Sequence, residues 1–185
     1  MNHVGTVSIE TDRLLLRRAV MADAEAMHRN WTGDNEVTKY LTWPTHANVE
    51  VTKGFIQYLL TSYEDLRSYG WVIELKDARE PIGMISVVSM NEEVDSVQIG
   101  YCLSRKHWGC GIMTEALGAV IDFAFGTLGA QRVEARHDTN NPASGAVMRK
   151  CGMVYEGTLR RADKNNQGIC DAAYYSILKN ERSEG

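Results

Sequence analysis

The spacing of apolar residues along this chain alternates between a helical period and a strand-like one. Leucines at positions 14–16 suit a first strand, and Asp23 stands where it would cap a short helix. The segment NEVTKYLTWPT is typical of a loop around Pro44, and Asn48 would cap a helix from Val49 to about Tyr69. We therefore expect one strand and two helices in the first third of the chain.

Short apolar runs of strand length replace the helical pattern after Gly70. WVIEL, PIGMISVVSM and VQIGYCL predict an antiparallel meander of three strands joined by polar turns. GIMTEALGAVIDFAFGTLG and NNPASGAVMRKCG have helical spacing and end at glycines, and the strand-like QRVEARH lies between them. MVYEGTLRRA and ICDAAYYSILK predict two closing strands around the polar turn DKNNQG. A strand–helix–strand unit among antiparallel strands implies a mixed sheet, so we predict an α+β fold with about seven strands and about four helices.

Length and composition are those of one ordinary globular domain. The chain has 185 residues, of which 44% are hydrophobic and 24% charged, and it has neither a linker-like tract nor an internal repeat. Its formal net charge of −4 argues against broad capture of nucleic acid, which needs a basic surface. No apolar run approaches the roughly 18 residues that span a bilayer, so we expect no membrane segment. We predict a single domain over residues 1–185.

The cysteines and the N-terminal segment indicate a reducing compartment. The four cysteines form no C-x-x-C pair and show no zinc-finger spacing, and the five histidines show no metal-ligand spacing. MNHVGTVSIE has neither the basic nor the apolar region of a secretory signal. We therefore expect free thiols, a cytoplasmic location and no metal.

One loop has an unusual composition for its position. KHWGCGIMTEA puts Gly109 and Gly111 directly before a helix, although glycine is a poor helix former. A helix start offers unpaired N–H groups and a partial positive charge, and glycine lets an anion approach them closely. These properties suggest a cradle for a phosphate or pyrophosphate. A dinucleotide fingerprint would need a third glycine where Thr114 stands, and the P-loop pattern is absent; a plain turn that needs two glycines stays open.

Several motifs, taken in chain order, agree with one family. IETDRLLLRR, NEVTKYLTW, PIG, QIGYCL, WGCGIMTEAL, RVEARHDTNNPAS and KCGMVYEG together resemble the GNAT acyl-CoA-dependent N-acetyltransferases, from about Ile9 to Leu178. The closest resemblance is to the subgroup that acetylates N-terminal alanine or serine of ribosomal proteins. It implies one N-acetyltransferase domain with its core at about residues 9–178 and a sheet splayed at its centre. It also implies acetyl-CoA as co-substrate, no metal, and direct attack of a bound primary amine on the thioester.

The resemblance assigns the coenzyme A half of the site. The family's pyrophosphate loop, Q/R-x-x-G-x-G/A, matches Lys106, Gly109 and Gly111, with lysine in place of the usual glutamine or arginine. The strand before the loop is implied to pair with the pantetheine arm, and the N–H of Leu103 is the expected oxyanion donor. The residues implied to bind coenzyme A are Tyr101, Cys102, Leu103, Lys106, Trp108, Gly109, Cys110, Gly111, Ile112, Met113, Asn141 and Ser144.

An N-x-x-S motif opens the next predicted helix. The resemblance implies that Asn141 contacts the pantetheine arm and that Ser144 protonates, or hydrogen-bonds to, the departing thiolate. Asn141 before Pro142 suits a plain helix cap as well, with no ligand needed.

The general base stays open at the level of sequence. An amine must lose a proton before it attacks, and many members use a glutamate at the position that matches Gln98, which cannot accept a proton. Asp163 is the first remaining candidate, although it equally suits an exposed turn carboxylate beside Lys164. Glu92, Glu93 and a water chain to bulk solvent are further alternatives. The catalytic set is therefore Ser144, Asp163 and Leu103.

Three interpretations of the acceptor follow. A protein N-terminus comes first because of the subgroup resemblance, and a small amine such as a polyamine or an amine-bearing antibiotic is the enzymatic alternative. A non-catalytic acyl-CoA sensor is the third, because Gln98 replaces the usual glutamate. Each interpretation is compatible with a homodimer.

Overall fold

The structure, a computed structural model, describes residues 1–182 and has an α+β fold built on one mixed sheet. Its strands are β1 (Ile9–Glu10), β2 (Leu14–Arg17), β3 (Gly70–Leu75), β4 (Glu80–Asn91), β5 (Ser96–Leu103), β6 (Arg132–Asp138), β7 (Val154–Asn165) and β8 (Gly168–Leu178). Its α-helices are α1 (Ala24–Met27), α2 (Asn35–Thr38), α3 (Val49–Ser62), α4 (Ile112–Phe123) and α5 (Pro142–Lys150). Wider helical turns extend α1 to Thr32 and α4 to Leu128. The predicted fold class is confirmed.

The strands lie in the order β1-β2-β3-β4-β5-β6-β8-β7. All neighbours are antiparallel except β5 and β6, which are parallel. This one parallel pair arises because α4 carries the chain from the end of β5 back to the level where β6 starts. The predicted meander of β3, β4 and β5 is confirmed, and the pairing of β6 with β8 leaves β7 at the edge of the sheet.

Two elements exceed the predicted number, and both arise from local turns in the first third of the chain. A tight turn divides the predicted first strand into β1 and β2: the Thr11 N–H donates to Leu14 O at 3.0 Å, and the Leu14 N–H donates to Thr11 Oγ1 at 3.1 Å. The short helix α2 lies in the segment predicted as a loop. Asp34 caps this helix by accepting from the Glu36 N–H at 2.9 Å.

Helix α3 begins where the sequence predicts and ends earlier. Asn48 caps it as expected, by accepting from the Val51 N–H at 3.2 Å. The helix ends at Ser62 rather than near Tyr69, because Tyr69 is buried against the sheet and leads directly into β3.

The predicted cap at Asp23 is wrong in its bonding. Its side chain makes no capping bond to α1. The carboxylate instead accepts from the Val20 N–H at 2.9 Å and pairs with Arg17 at 2.8 Å, because the neighbouring strand β2 brings that guanidinium within reach.

Helices cover both faces of the sheet around β3 and β4. The larger apolar core lies between the sheet and α4 and includes Trp71, Ile85, Leu117 and Ile121. A smaller core lies on the opposite face under α1 and α3 and includes Met27, Trp31, Ile56 and Val72. Towards β6 and β7 this second face carries ion pairs of Arg132 with Glu134 and Glu156. On this second face, the centre of the sheet therefore separates an apolar half under α1 and α3 from a polar half at β6 and β7.

Candidate active site

The sheet opens between β5 and β6. Their parallel pairing stops at Gln98 and Glu134, although β5 continues to Leu103 and β6 to Asp138. A cavity of about 960 Å³ occupies the opening and extends over β4 to the loop between α2 and α3. Its lining includes Tyr101, Cys102, Asn141, Ser144 and Asp163. The opening therefore gathers five of the residues that the sequence analysis singled out.

The backbone of β5 directs free N–H groups into this opening. The Ser104 N–H donates to Ile82 O of β4 at 2.7 Å, and successive amides of a strand point to opposite sides. The N–H groups of Tyr101 and Leu103 therefore point away from β4, where β6 no longer pairs with them. Trp108 Nε1 donates to Leu103 O at 2.7 Å, which satisfies that carbonyl. Within residues 1–182, the Leu103 N–H has no hydrogen-bond acceptor.

The loop after β5 ends in an open helix start. Within residues 1–182, the backbone N–H groups of residues 109–114 have no hydrogen-bond acceptor in the protein. The Glu115 N–H makes the first bond of α4, to Gly111 O at 3.1 Å. Unpaired amides at a helix start carry a partial positive charge and bind phosphate groups. We refer to the amides of residues 109–114 as the amide cradle, and it fits a diphosphate.

Backbone conformation and one arginine keep the amide cradle facing outward. Gly109 and Gly111 both have a φ of 74°, a left-handed conformation that costs an ordinary residue roughly 1–2 kcal/mol. Arg13 supports the loop from behind: its Nη1 donates to Cys110 O at 3.0 Å, and its Nε pairs with Glu115 Oε2 at 2.6 Å. Because the Cys110 carbonyl turns toward Arg13, the Gly111 N–H of the same trans peptide unit faces the other way.

The side chains of this loop fall into two groups. Lys106 and Cys110 are exposed and Trp108 is half-exposed, so each can contact a ligand. Ile112 and Met113 are buried in the core under α4, so only their amides can face a ligand. Lys106 makes no ion pair within residues 1–182, which leaves its ammonium group available to a phosphate.

The N-x-x-S motif lies at the start of α5, beside Tyr101. Asn141 occupies the N-cap position, but its side chain makes no capping bond, so a plain cap does not account for the amide. Ser144 Oγ donates to Tyr101 Oη at 3.0 Å, and Tyr101 Oη donates to Ser144 O at 3.0 Å. Burial raises the pKa of Tyr101, so its hydroxyl stays protonated and holds the Ser144 hydroxyl in place.

Three polar side chains form a row along the opening. Arg136 Nη1 donates to Gln98 Oε1 at 3.3 Å, and Arg136 Nε pairs with Asp163 Oδ2 at 2.6 Å. Asp163 also accepts from the Lys164 N–H at 2.8 Å. A carboxylate held in this way must exchange those bonds before it can accept a proton. Asp163 thus lines the cavity as the partner of Arg136.

The other two candidate bases lie outside the cavity. Glu92 and Glu93 are exposed in the turn between β4 and β5 and do not belong to the cavity lining. Glu92 pairs with Arg67, at the rim. Either glutamate could exchange a proton with a bound ligand only through water.

A carboxylate that the sequence analysis did not single out lies at the end of β6. Asp138 is buried, lines the cavity, and accepts from the Asn140 N–H at 2.8 Å and from Asn165 Nδ2 at 2.7 Å. Burial acts to raise the pKa of Asp138, but the hydrogen bonds from Asn140 and Asn165 outweigh it and lower that pKa. Asp138 is therefore an anion at neutral pH. Burial and this carboxylate raise the pKa of the neighbouring Cys170 thiol to about 11.

The tip of the β7–β8 hairpin closes the outer wall of the cavity. The Asn166 N–H donates to Leu41 O at 3.1 Å, and Asn166 Nδ2 donates to Thr38 O and to Trp43 O, both at 2.8 Å. These bonds join the hairpin to the loop between α2 and α3. A ligand on this side is enclosed between two connected segments.

Sequence signals for these additional residues are weak. Asp138 ends a predicted strand just before the N-x-x-S motif, and Asn166 lies in the predicted turn DKNNQG. Their positions in the chain alone could have marked both residues as candidates. Arg136 and Arg13 stand within segments quoted for the family resemblance, but no motif there assigns either residue a role. Their roles depend on partners far away in the sequence.

The described part of the chain also lacks two features. No helix of residues 1–182 is long and apolar enough to cross a membrane. In the same residues, no group of three or more histidine, cysteine, aspartate or glutamate side chains is arranged to hold a metal ion.

Comparisons with known proteins agree on one family. A family model described as the acetyltransferase (GNAT) domain matches residues 13–154. YoaA of Bacillus subtilis, an uncharacterised N-acetyltransferase, is 34% identical over 171 residues, which cover 92% of this chain and 96% of that protein. The ribosomal-protein-serine acetyltransferase of Escherichia coli is 28% identical over 139 residues, which cover 75% of this chain and 76% of that protein.

One solved structure supports the fold independently. RimL, a ribosomal L7/L12 α-N-protein acetyltransferase in complex with coenzyme A, matches with a TM-score of 0.81 at 23% identity. The match covers 93% of this chain and 98% of that one. At this level of identity the likeness establishes the shared fold.

Proposed function

Because this chain belongs to the acetyltransferase (GNAT) family and is an N-acetyltransferase, we propose that it transfers the acetyl group of acetyl-CoA to the α-amino group of a protein N-terminus. The β5–β6 opening carries the proposal, since an amide cradle follows β5 and a cavity with both polar and apolar lining occupies the opening. Residues of about 9–178 act as one catalytic domain.

The start of α4 supports binding of the coenzyme A diphosphate. The amide cradle would donate to the phosphate oxygens, and Lys106 would add a positive charge. The free N–H groups of Tyr101 and Leu103 would pair with the pantetheine arm as a neighbouring strand would. Asn141, whose side chain is not engaged as a cap, would hydrogen-bond to the same arm. The thioester then lies inside the opening.

The reaction requires stabilisation of negative charge on the acetyl carbonyl oxygen and a proton donor for the departing thiolate sulfur. As the amine attacks, negative charge develops on the carbonyl oxygen of the acetyl group, and the Leu103 N–H would stabilise it. The carbon–sulfur bond then breaks, and the Ser144 hydroxyl, turned away from Tyr101 Oη, would give the thiolate a hydrogen bond or a proton that water then restores to Ser144. Tyr101 orients Ser144 through their paired hydroxyls. Rigid placement of both reactants supplies the rest of the rate enhancement.

Two routes fit the proton that the acceptor ammonium loses. Asp163 is the first, since it lines the cavity and can act once its bond to Arg136 is exchanged. Water in the open cavity is the second, because it connects the opening to bulk solvent. Gln98 takes no part as a base, and Glu92 would act only through that water.

The protein N-terminus is favoured over a small amine on two grounds. The Escherichia coli relative is named for a ribosomal-protein substrate. The cavity also continues beyond the opening, between the α2–α3 loop and the hairpin, which suits the first residues of an extended peptide. A small amine would occupy only the inner part.

An acetylation screen tests the proposal. Purified protein and acetyl-CoA are incubated with peptides that begin with alanine or serine, with the same peptides blocked at the N-terminus but carrying an internal lysine, and with polyamines and amine-bearing antibiotics. We expect mass spectrometry to find acetylation of the free N-termini alone. Turnover of only the small amines would replace the proposal with the second acceptor class. Coenzyme A binding without turnover of any amine would establish a sensor.

Location and assembly are separate parts of the proposal. The enzyme acts in the cytoplasm, which the four unpaired cysteines within residues 1–182 support, because such thiols persist in a reducing compartment. A homodimer stays a prediction, and light scattering of the purified protein at assay concentration tests it.

A further inference from the structure

Asp138 is a buried carboxylate whose hydrogen-bond partners are all neutral. Its side chain is 7% exposed. Oδ1 accepts from the Asn140 N–H at 2.8 Å and from Asn140 Nδ2 at 3.0 Å, and Oδ2 accepts from Asn165 Nδ2 at 2.7 Å. The Cys170 thiol beside it is protonated and also neutral. No lysine, arginine or histidine of residues 1–182 lies within ion-pair distance of Asp138.

A buried charge without a counter-ion is costly, about several kcal/mol before hydrogen bonds offset part of it. The local turn does not require the charge, since asparagine forms the same kind of turn through its side-chain oxygen. The half-buried carboxylate of the cavity wall differs, because Asp163 is neutralised by Arg136. Asp65, also in the lining, is exposed and needs no partner. Hydrogen bonds stabilise the negative charge of Asp138 without neutralising it, so within residues 1–182 Asp138 is the buried carboxylate of the cavity lining that has no counter-ion.

The position of Asp138 relates it to the reacting atoms. Gln98 and Glu134 are the last paired residues of β5 and β6, and the same offset in numbering brings Asp138 level with Cys102. The strands separate beyond that pair, but Asp138 and Cys102 both line the cavity between them. A positively charged group held by Asp138 would stand in the cavity that the thioester enters. An ionised carboxylate has about four acceptor positions; the amides use three of them, and the neutral Cys170 thiol is the partner that an ammonium group would replace at the fourth.

We propose that Asp138 is the counter-ion that binds the ammonium group of the acceptor and places its nitrogen at the thioester. This inference rests on the proposed function, since it names how the same site recognises its substrate class. Asp138 selects amines that are charged in solution, whereas acetyl-CoA is held by the opposite side of the opening. The residue binds and positions the substrate, and the proton leaves by the routes given above.

The test compares charged and uncharged versions of one acceptor. The probes are a short peptide with a free N-terminal serine and an analogue whose terminal amine is replaced by an aminooxy group, which is uncharged at neutral pH. Binding to the coenzyme A complex is measured by calorimetry for the wild type and for Asp138→Asn. Loss of a buried ion pair commonly costs about 2 kcal/mol or more, so we expect the ammonium peptide to bind at least about 30-fold more weakly. Binding of the aminooxy analogue changes less than about twofold.

Two further variants distinguish the loss of a counter-ion from a general disturbance of the site. Asp65→Asn removes the same charge from an exposed part of the cavity lining, and we expect less than a twofold change with either probe. The double variant Asp138→Asn with Asn165→Asp moves the carboxylate to the other side of a 2.7 Å hydrogen bond. It should recover part of the affinity for the ammonium peptide. Equal weakening of both probes in Asp138→Asn, or no recovery in a folded double variant, overturns the proposal.

Failure of the proposed function is recognised separately. If the wild type acetylates no peptide, the N-terminal assignment fails, and Asp138 is then judged with spermidine as the probe. Weaker spermidine binding in Asp138→Asn than in the wild type supports the counter-ion. Equal binding of spermidine by both proteins overturns it.

Discussion

The two sides of the β5–β6 opening use different parts of the chain to hold a ligand. On the donor side, the amide cradle and the free N–H groups of β5 are backbone groups, presented by a loop with glycines at Gly109 and Gly111. On the acceptor side, the groups that face the cavity are side chains from β6, β7 and β8 together with the α2–α3 loop. Backbone recognition tolerates many sequences, whereas side-chain recognition depends on individual residues.

This difference predicts how strongly ligand binding on each side of the opening depends on particular side chains. A diphosphate needs several N–H donors in one place, and a helix start supplies them whatever the side chains are. The proposed acceptor side depends instead on cavity side chains such as Asp138 and Asp163, each placed by a partner in another segment. Substitutions on the two sides should therefore affect the two substrates separately.

The largest expected effect is on acetyl-CoA binding at the donor side. Gly111→Val puts a branched side chain where φ is 74° and where the Cβ would lie 3.6 Å from Arg13 Nη2, so the loop must shift the amides that would meet phosphate. Loss of one or two hydrogen bonds to a charged group, each worth about 1.5–3 kcal/mol, should raise the KM for acetyl-CoA at least about tenfold. The KM for the amine should not change. Initial-rate kinetics with each substrate varied measure both constants.

Gly129→Val is the matched control for this prediction. Gly129 lies at the other end of the same helical segment with a φ of 81°, so it carries the same backbone strain away from the amide cradle. Both variants should lose about 1–2 kcal/mol of unfolding free energy. An unchanged KM for acetyl-CoA in a folded Gly111→Val protein would favour the plain turn.

A somewhat smaller effect tests the junction between the two sides. Ser144→Ala removes the proposed proton donor while leaving the helix start intact, so kcat should fall by about tenfold, the value of one good hydrogen bond. Both KM values should stay within about twofold of the wild type. Single-turnover measurements separate the chemical step from product release. Ser144→Thr keeps a hydroxyl and should retain more activity; equal loss in the two variants would remove Ser144 from the chemistry.

A modest effect sharpens the acceptor side. Asn166→Ala removes the two side-chain bonds to Thr38 O and Trp43 O and keeps the backbone bond to Leu41. Loss of about 1 kcal/mol at a partly exposed site should raise the KM for the peptide about threefold to fivefold. Amide hydrogen exchange should become faster in the α2–α3 loop. The KM for acetyl-CoA should not change.

Asn91→Ala serves as the comparison for the hairpin variant. Asn91 holds one local bond in the β4–β5 turn, to the Glu93 N–H, outside the acceptor wall. Neither KM should respond to its loss. If Asn166→Ala changed both KM values equally, the hairpin would belong to the general stability of the domain.

The smallest expected effect concerns Glu156, which lies outside the cavity lining. Hydrogen bonding by Arg132 lowers the pKa of Glu156 from its ordinary value of 4.5 to about 2. A lowered carboxyl pKa stabilises the fold above about pH 4.5, and this contribution is lost as the pH falls toward 2. Because Glu156 is partly exposed, Glu156→Gln should cost less than about 1 kcal/mol at pH 7. Thermal melts at several pH values should show the difference between wild type and variant shrinking below about pH 4.5.

Activity decides whether Glu156 belongs to the site. Its partners are Arg132 and Ser176 on the polar face of the sheet, and it does not line the cavity. We expect unchanged kcat and KM values at pH 7 for Glu156→Gln. A raised KM for the acceptor would extend the acceptor surface over that face.

Local patterns account for most of what was predictable. The period of apolar residues identified the meander, the helix α4 and the closing hairpin, because strands and helices depend mainly on neighbouring residues. The turn at Thr11 and the short helix α2 were missed, since a few polar residues decide them. The open helix start after Gly109 and Gly111 was predicted because its signal is confined to a few adjacent positions, and its role as a phosphate cradle stays a prediction.

The sequence by itself determined the family, the sheet and the donor loop, while the tertiary structure alone decided the acceptor side. Arg136 meets Asp163, and Asp138 meets Asn165, across 27 positions in the sequence. Both pairings depend on a register shift in β7 between Leu159 and Asp163, which sets which residues face the cavity. Backbone donors follow from local conformation, whereas side-chain pairs follow from how distant strands align, and no short stretch of sequence specifies that alignment.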